Sequence, residues 1–460
     1  MTRLGCWIHV TLGAMLSPQA PRIRLPVGVR DFLPQAAARR RSIAERLLGE
    51  FERWGFERII TPLFECADVL ERGLGADARA AAIRFVEPVT GEVVALRPDI
   101  TPQVARLVAT RLAEAGGPVR LCYEGTVARL ATGARGQREI LQAGVELYGA
   151  GSPEGDAEAV SVAAAALAAA SLPEVRLEVG HVALARHALA AIDGEAQRAA
   201  VALALLRKDR AGVVRAAAGL PRPLRILLEA LPGLYGEPRA VLGEARALRL
   251  PGAVRRAVDS LEEVLDSLDD VALSLAIDLG EVRGFDYYTG IRLAGFVAGA
   301  GDAVLAGGRY DELAARYGRP VRAIGFAIDV EAIAEAQSAA GVPMPARADG
   351  VLVSAPRARR REAGRLAAAL RAAGNRAAVD LGPARARRAL LDYAIKAGFS
   401  RVLELGPRGA FWLEGGGAVR EIGAGVLRRA LGGDVAGIGA HRVIPRDLVS
   451  RSDGTVRGGE

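Results

Sequence analysis

The sequence predicts an α+β core carrying a helical insertion, followed by a small α/β domain. Three observations carry that prediction. Two strand-like segments, RLCYEGTV and EILQAGVELYG, flank a Gly- and Arg-rich stretch from Arg129 to Arg138, as the arms of a hairpin flank its loop. Alanine-rich helical sequence then fills most of residues 157–270, punctuated by Pro173, Pro221, Pro223 and Pro232. Last, GVLVSAP, RAAVDLG and RVLELGP alternate with helical segments, the order of strands and helices in an α/β unit.

Taken in chain order, the first 22 residues read as an extension, with Met15 the expected initiator. Their apolar run is broken by His9 and glycines, unlike the uninterrupted stretch of a signal peptide. In SIAERLLGEFERWGFERIITPLFE, Ile43, Leu47, Phe51 and Trp54 recur at three to four positions and predict one buried helix face. Gly55 stands where a C-cap belongs, and Arg58 to Pro62 read as a strand. VVALRPDITPQVARLVAT predicts a short strand closing on Pro98 and a helix from near Thr101. After the hairpin and the helical stretch, EVRGFDYYTGIRLAGF and VLAGGRYDEL return to strand and turn, and IGFAIDVEAIAEA passes from strand to helix. QSAAGVPMPARADG, Gln337 to Gly350, has the proline and small residues of a linker. The expected divisions are therefore a core over 23–336 with its insertion at about 180–270, a linker over 337–350, an α/β domain over 351–433, and an irregular tail over 434–460.

Composition excludes several classes. With 460 residues, 51% hydrophobic and 25% charged, the chain suits two or three globular domains rather than disorder. The net charge of +8 is almost all arginine, with Lys208 and Lys396 the only lysines, so it reads as compositional bias before it reads as a nucleic-acid face. Arg357, Arg359, Arg360 and Arg361 likewise read as a solvated helix start rather than an RNA contact. Cys6, Cys66 and Cys122 form no CxxC pair, which fits a reducing, cytoplasmic compartment. The four histidines are scattered, and His181 and His187 lie six apart, so no metal or other cofactor is expected. No run of 18 or more apolar residues occurs, and no membrane span is expected.

The ordered series GVRDFLP, LRPD-x-T, a hairpin strand containing YE, Q-x-G-x-E, RGFDYYTG, GGRYDEL and IGFAI resembles the catalytic core of histidyl-tRNA synthetase. That resemblance covers roughly Ile23 to Ala336 and implies a class II synthetase-like antiparallel sheet. The domain beyond the linker is similar to that enzyme's anticodon-binding domain. Two families share the core: the synthetase, and the regulatory subunit of ATP phosphoribosyltransferase. On the family's pattern, the two arginines that clamp ATP correspond to Cys122 in LCYE and Ala332 in DVEAI, which carry no charge. The longer hairpin loop and LEVGHVAL, with His181, also resemble the regulatory family.

The resemblance implies a histidine pocket made by Asp99, Thr101, Gln142, Glu146, Arg283, Tyr287 and Tyr288, with no catalytic residue. Asp99 departs from the synthetase's glutamate by one methylene. Residue by residue, blander readings stand beside this one. Tyr287 and Tyr288 in a strand are ordinary β-formers, of which one must face away. Gln142 and Glu146 share a strand face that is commonly the wet side, Arg283 and Asp286 suit a surface pair, and Gly307 and Gly308 suit a turn. The implied role is a non-catalytic regulatory subunit in a hetero-oligomer with a short-form catalytic subunit, with free histidine as effector. A homodimer through the first helix and strand is also implied. Histidyl-tRNA synthetase is the main alternative, and a synthetase-like RNA-binding module a third.

Overall fold

Helix α1 (Pro34–Arg53) starts with proline in its first turn, where a missing N–H costs nothing. Ile43, Leu47 and Phe51 form its buried stripe as predicted, and Gly55 follows at φ +82°, the left-handed conformation that closes a helix. Trp54, expected on that stripe, is 37% exposed because it lies just past the last helical residue. The predicted strand Arg58–Pro62 shortens to β1 (Glu57–Arg58). Beyond it the carbonyls of Thr61 and Pro62 are bonded by the Arg97 and Gln103 side chains instead of a neighbouring strand. The computed structural model describes residues 24–112, 117–130, 136–268, 273–283, 287–344, 350–407, 409–414, 418–434 and 443–444. The N-terminal extension, the hairpin tip at 131–135, Asp286 and most of the tail lie outside the described residues.

A small antiparallel sheet follows, with β2 (Phe64–Cys66), β3 (Arg84–Val86) and β4 (Val93–Leu96) in the order β2-β4-β3 beside α2 (Ala67–Arg72) and α3 (Ala76–Ala81). Helix α4 (Thr101–Leu107) begins where expected. The hairpin of β5 (Val119–Ala128) and β6 (Glu139–Tyr148) pairs in register from Val119 opposite Tyr148 to Ala128 opposite Glu139. Helix α5 (Glu154–Ala169) then leads into β7 (Val175–His181). The insertion comprises α6 (Ala183–Ala190), α7 (Glu195–Leu206), α8 (Arg210–Ala216), α9 (Arg222–Ala230), β8 (Tyr235–Gly236), α10 (Pro238–Ala247) and α11 (Gly252–Asp266). The chain returns through β9 (Ser274–Asp278), β10 (Ile291–Val297), β11 (Leu305–Arg309) and β12 (Ala323–Asp329) to α12 (Val330–Ala339).

Nine strands make one sheet in the order β1-β5-β6-β12-β11-β10-β7-β9-β8. Its pairings are antiparallel except β1 with β5 and β7 with β9. The alanine-rich region therefore contributes a central strand, β7, that helical composition conceals; its Val175, Leu177 and Val179 alternate inward. Gly307 and Gly308 lie within β11 rather than in a turn. A Cβ on Gly307 would come within 2.3 Å of Phe326 Cβ, so close strand packing explains the glycine.

The two faces of the hairpin are both buried. On one, Cys122, Ala143, Val145 and Leu147 join Ile43, Leu47 and Phe51 of α1 and Val160 and Leu167 of α5. On the other, Tyr123, Val127 and Tyr148 pack with Val104 of α4 and with Tyr310. The Gln142 and Glu146 face is thus no wet side.

The first compact unit ends at Met344 and the second begins at Pro345. The linker is shorter than expected, because Gln337 lies in α12 and is 2% exposed. Its amide donates to Ala170 O at 2.6 Å and accepts from Arg39 at 3.1 Å. The second unit holds β13 (Gly350–Ser354), α13 (Arg360–Ala372), β14 (Arg376–Val379), α14 (Arg387–Lys396), β15 (Arg401–Leu405), β16 (Ala410–Glu414), β17 (Ala418–Ile422), α15 (Ala424–Leu431) and β18 (Val443–Ile444). The sheet order is β14-β13-β15-β16-β17-β18, with β13 parallel to both of its neighbours. The α/β alternation thus covers half of it, and an antiparallel extension reaches into the tail, where Val443 and Ile444 pair with Arg420 and Val419. Arg359 is held by Glu362 and by the Gly406 carbonyl at 2.6 Å rather than standing solvated. Among the described residues no helix is long and apolar enough to cross a membrane.

Candidate functional site

Strand alternation sets which hairpin residues share the site. Gln142 and Glu146 on β6 lie opposite Gly125 and Leu121 on β5, with Tyr123 opposite Gly144 between them. Glu146 is completely buried, and its Oε1 accepts from Thr101 Oγ1 at 2.6 Å and from Tyr123 OH at 3.2 Å. Its Oε2 has no hydrogen-bond partner among the described residues, and neither have the buried hydroxyls of Tyr148, Tyr287 and Tyr310. Burial raises the Glu146 carboxyl well above its usual range, the Thr101 bond opposes this, and the Asp99 carboxylate adds to it. Opposite Glu146 on β12 stands Gly325, where a Cβ would come within 2.0 Å of Glu146 Oε2 and 2.6 Å of Tyr310 OH. The glycine makes room for these two side-chain oxygens, which any Cβ there would displace. Buried polar atoms left without partners cost about 1–3 kcal/mol each, so such a cluster is the signature of a site built for a ligand with matching donors and acceptors.

Thr101, Tyr287, Tyr310 and Gly325 also line a cavity of about 350 Å³, together with Asp99, Arg129, Gln142 and Tyr288, while Glu146 is not among its lining residues. Asp99 accepts the N–H of Ile100 at 2.8 Å, and burial raises its carboxyl while Arg129 pulls it back down. The Gln142 amide donates to Asp99 at 3.3 Å and accepts from Arg129 at 3.2 Å. Arg129 also donates to Pro98 O at 2.7 Å, which holds its guanidinium at the cavity wall.

A second cavity, of about 740 Å³, shares Asp99, Tyr287 and Tyr288 and has Arg283 in its wall. The structure therefore brings five of the seven expected residues, Asp99, Thr101, Gln142, Tyr287 and Tyr288, to the smaller cavity, buries Glu146 against Thr101, and places Arg283 in the wall of the adjoining one. Arg283 is half-exposed and pairs with Glu281 at 3.2 Å; Asp286, the partner expected for it, lies outside the described residues. Tyr287 and Tyr288 lie in the connection from β9 to β10, not in a strand. Their rings meet edge to face with centroids 5.3 Å apart and both line the cavities, so neither faces away. Burial pushes the Tyr288 hydroxyl up to about 12. The connection is tied to β11 by Thr289 N–H to Arg309 O at 2.6 Å, and to α6 by Arg186, which donates to Tyr288 O.

Cys122 requires a correction. It pairs with Val145, so its side chain lies on the α1 side of the hairpin, opposite to Glu146. Its Sγ faces Phe56 O at 3.8 Å, and burial pushes the thiol up to about 11. Cys122 is therefore not the place of a nucleotide-binding arginine, and Arg129, one residue beyond β5, brings a guanidinium to the cavity. Strand parity was the available signal, since odd positions of β5 share the face of even positions of β6. Ala332 is buried in the first turn of α12, its N–H bonded by Asp329 Oδ1 at 2.8 Å. His181 ends β7 as a neutral, half-buried imidazole: Nδ1 accepts the Ala183 N–H at 3.1 Å, and desolvation lowers its pKa to about 4. Among the described residues no group of three His, Cys, Asp or Glu is arranged to hold a metal.

This fold and site define a histidyl-tRNA synthetase-like protein: residues 28–333 match the family described as "Histidyl-tRNA synthetase". The chain is similar over 85% of its length to a crystal structure described as "ATP phosphoribosyltransferase regulatory subunit/histidyl-tRNA synthetase from Bacillus halodurans C", with 28% identity, TM-score 0.72 and 99% of that chain covered. It shares the fold of histidyl-tRNA synthetase from Nostoc sp. PCC 7120, at TM-score 0.73 and 20% identity over 89% of this chain and 99% of that one. The ATP phosphoribosyltransferase regulatory subunit of Geobacter sulfurreducens is 42% identical over 363 residues, covering 78% of this chain and 83% of the relative. That of Geobacter metallireducens is 41% identical over 399 residues, covering 85% and 91%. The chain belongs to the ATP phosphoribosyltransferase regulatory subunit family.

Proposed function

We propose that this chain is the non-catalytic regulatory subunit of ATP phosphoribosyltransferase, required for the first step of histidine biosynthesis, and that its cavity senses free histidine. The observation that carries the sensor is the cluster of unpartnered buried atoms at Glu146 Oε2, Tyr287 OH and Tyr310 OH. An imidazole ring offers the N–H that Glu146 Oε2 lacks, and Asp99 beside Gln142 suits an α-ammonium. Arg283, in the adjoining wall, suits the α-carboxylate. The partner is a short-form catalytic subunit that joins ATP to phosphoribosyl pyrophosphate, held in a hetero-oligomer.

The absence of adenylation rests on charge. The described lining of the smaller cavity carries the acids Asp99, Asp302 and Asp329 beside one guanidinium, Arg129, and Ala332 adds none. A triphosphate meets net repulsion there, and losing one preorganised donor costs about 3 kcal/mol of barrier. Arg129 and Arg283 favour the synthetase as the second reading. Histidine-dependent pyrophosphate exchange separates the two. The purified chain is expected to give no exchange above a no-enzyme control, and clear exchange would overturn the regulatory assignment.

Self-association through the first helix and the strand after it belongs to the same proposal, and the small sheet that follows offers a further apolar contact. Phe64 of β2 and Phe85 of β3, 48% and 40% exposed with ring centroids 5.9 Å apart, form an exposed apolar pair that a partner copy would cover. Light scattering at micromolar concentration is expected to read at least twice the chain mass, and a monomer would count against this interface.

A further inference from the structure

The connection from β9 to β10 holds a carboxylate that the histidine reading leaves unused. Glu281 Oε1 accepts the backbone N–H of Val282 and of Arg283, each at 2.8 Å. Its Oε2 accepts from Arg292 of β10 and from Arg283, each at 3.2 Å. Glu281 and Arg292 are 10% and 13% exposed, whereas Arg283 is 55% exposed. Burial by itself would raise the Glu281 carboxyl, yet the Arg292 guanidinium beside it and the Arg283 N–H hold it below its usual range. Glu281 is therefore an ionised group fixed from three sides, and Arg283 is its most exposed partner.

We propose that Glu281 is a built-in competitor for the carboxylate of the bound amino acid, occupying Arg283 while the cavity is empty. The proposal rests on the histidine reading and adds a specificity-setting residue to it. A ligand carboxylate must displace Glu281 from Arg283, whereas a ligand without a carboxylate has nothing to displace. The fixed anion thus weakens histidine selectively and leaves the ring and ammonium contacts alone. Because the Arg283 pair is half-exposed, its effect is modest, about three- to fivefold in affinity.

Calorimetry on the full chain with L-histidine and with histidinol, which lacks the carboxylate, tests this in wild type, Glu281→Gln, Arg283→Ala and the double variant. Glu281→Gln is expected to tighten histidine about three- to fivefold and to change histidinol by less than twofold, with the gain absent in the Arg283→Ala background. An equal gain for both ligands, a gain that survives without Arg283, or weaker histidine binding would overturn the role of Glu281. Glu281→Asp, which keeps the charge beside Arg292 on a shorter arm, carries the same comparison if the amide variant does not fold. No histidine binding by the wild type would remove the pocket reading itself, a result distinct from the others.

Discussion

Arg309→Ala is expected to lower the stability of the first unit by about 3–5 kcal/mol. Arg309 and Asp156 pair at 2.6 Å with side chains only 5% and 2% exposed. The same guanidinium donates to Ala150 O at 3.2 Å, Gly151 O at 3.1 Å and Asp311 Oδ1 at 3.0 Å, so its acceptors are spread over the turn before α5 and the segment just after β11. Truncation leaves the buried Asp156 without its counter-charge and frees two carbonyls. The backbone carbonyl of Arg309 also anchors Thr289, next to Tyr288, so the loss reaches the cavity wall. Urea unfolding read by hydrogen exchange on peptides from β11 and β12 measures it. Asp156→Ala should cost a similar amount and the double variant less than the sum. A loss below about 1 kcal/mol in both single variants would show that this pair is not what holds β11 to α5.

Glu146→Ala is expected to weaken histidine ten- to hundredfold, since leaving a buried hydrogen-bonding group without its partner costs about 1–3 kcal/mol. Arg283→Ala should fall at the lower end of that range, because its guanidinium is half-exposed and already shared with Glu281. Isothermal calorimetry on the free chain reads both. In the assembled complex the same variants should raise the histidine concentration needed for half-inhibition by the same factors, as linkage requires if binding at this cavity controls turnover. Unchanged affinity in both would place the effector site elsewhere.

Much of this architecture is readable from the chain, and the failures have local causes. The hairpin, the helix starting at Thr101 and the α1 stripe follow from periodicity and from proline and glycine positions. β7 is hidden because its neighbours are alanine-rich helices, and composition speaks for the region rather than for seven residues within it. Gln142 and Glu146 share a face by strand parity alone, but that the face is buried depends on α4 and Tyr310, which are distant in sequence. Cys122 shows the converse error. Matching a short motif across a hairpin ignored parity, and one position of offset turns a side chain from the cavity into the core. The placement of Arg283 depends on Glu281 and Arg292, an electrostatic choice between nearby cavities that no residue pattern announces.

The central claim is that this chain governs a phosphoribosyltransferase instead of charging tRNA. Its most direct test is the rate of phosphoribosyl transfer from phosphoribosyl pyrophosphate to ATP by a short-form catalytic subunit, measured with and without this chain and with histidine titrated in. The account predicts turnover that depends on adding the chain and falls as histidine is raised. Full turnover by the catalytic subunit alone, unaffected by the chain and by histidine in its presence, would contradict it.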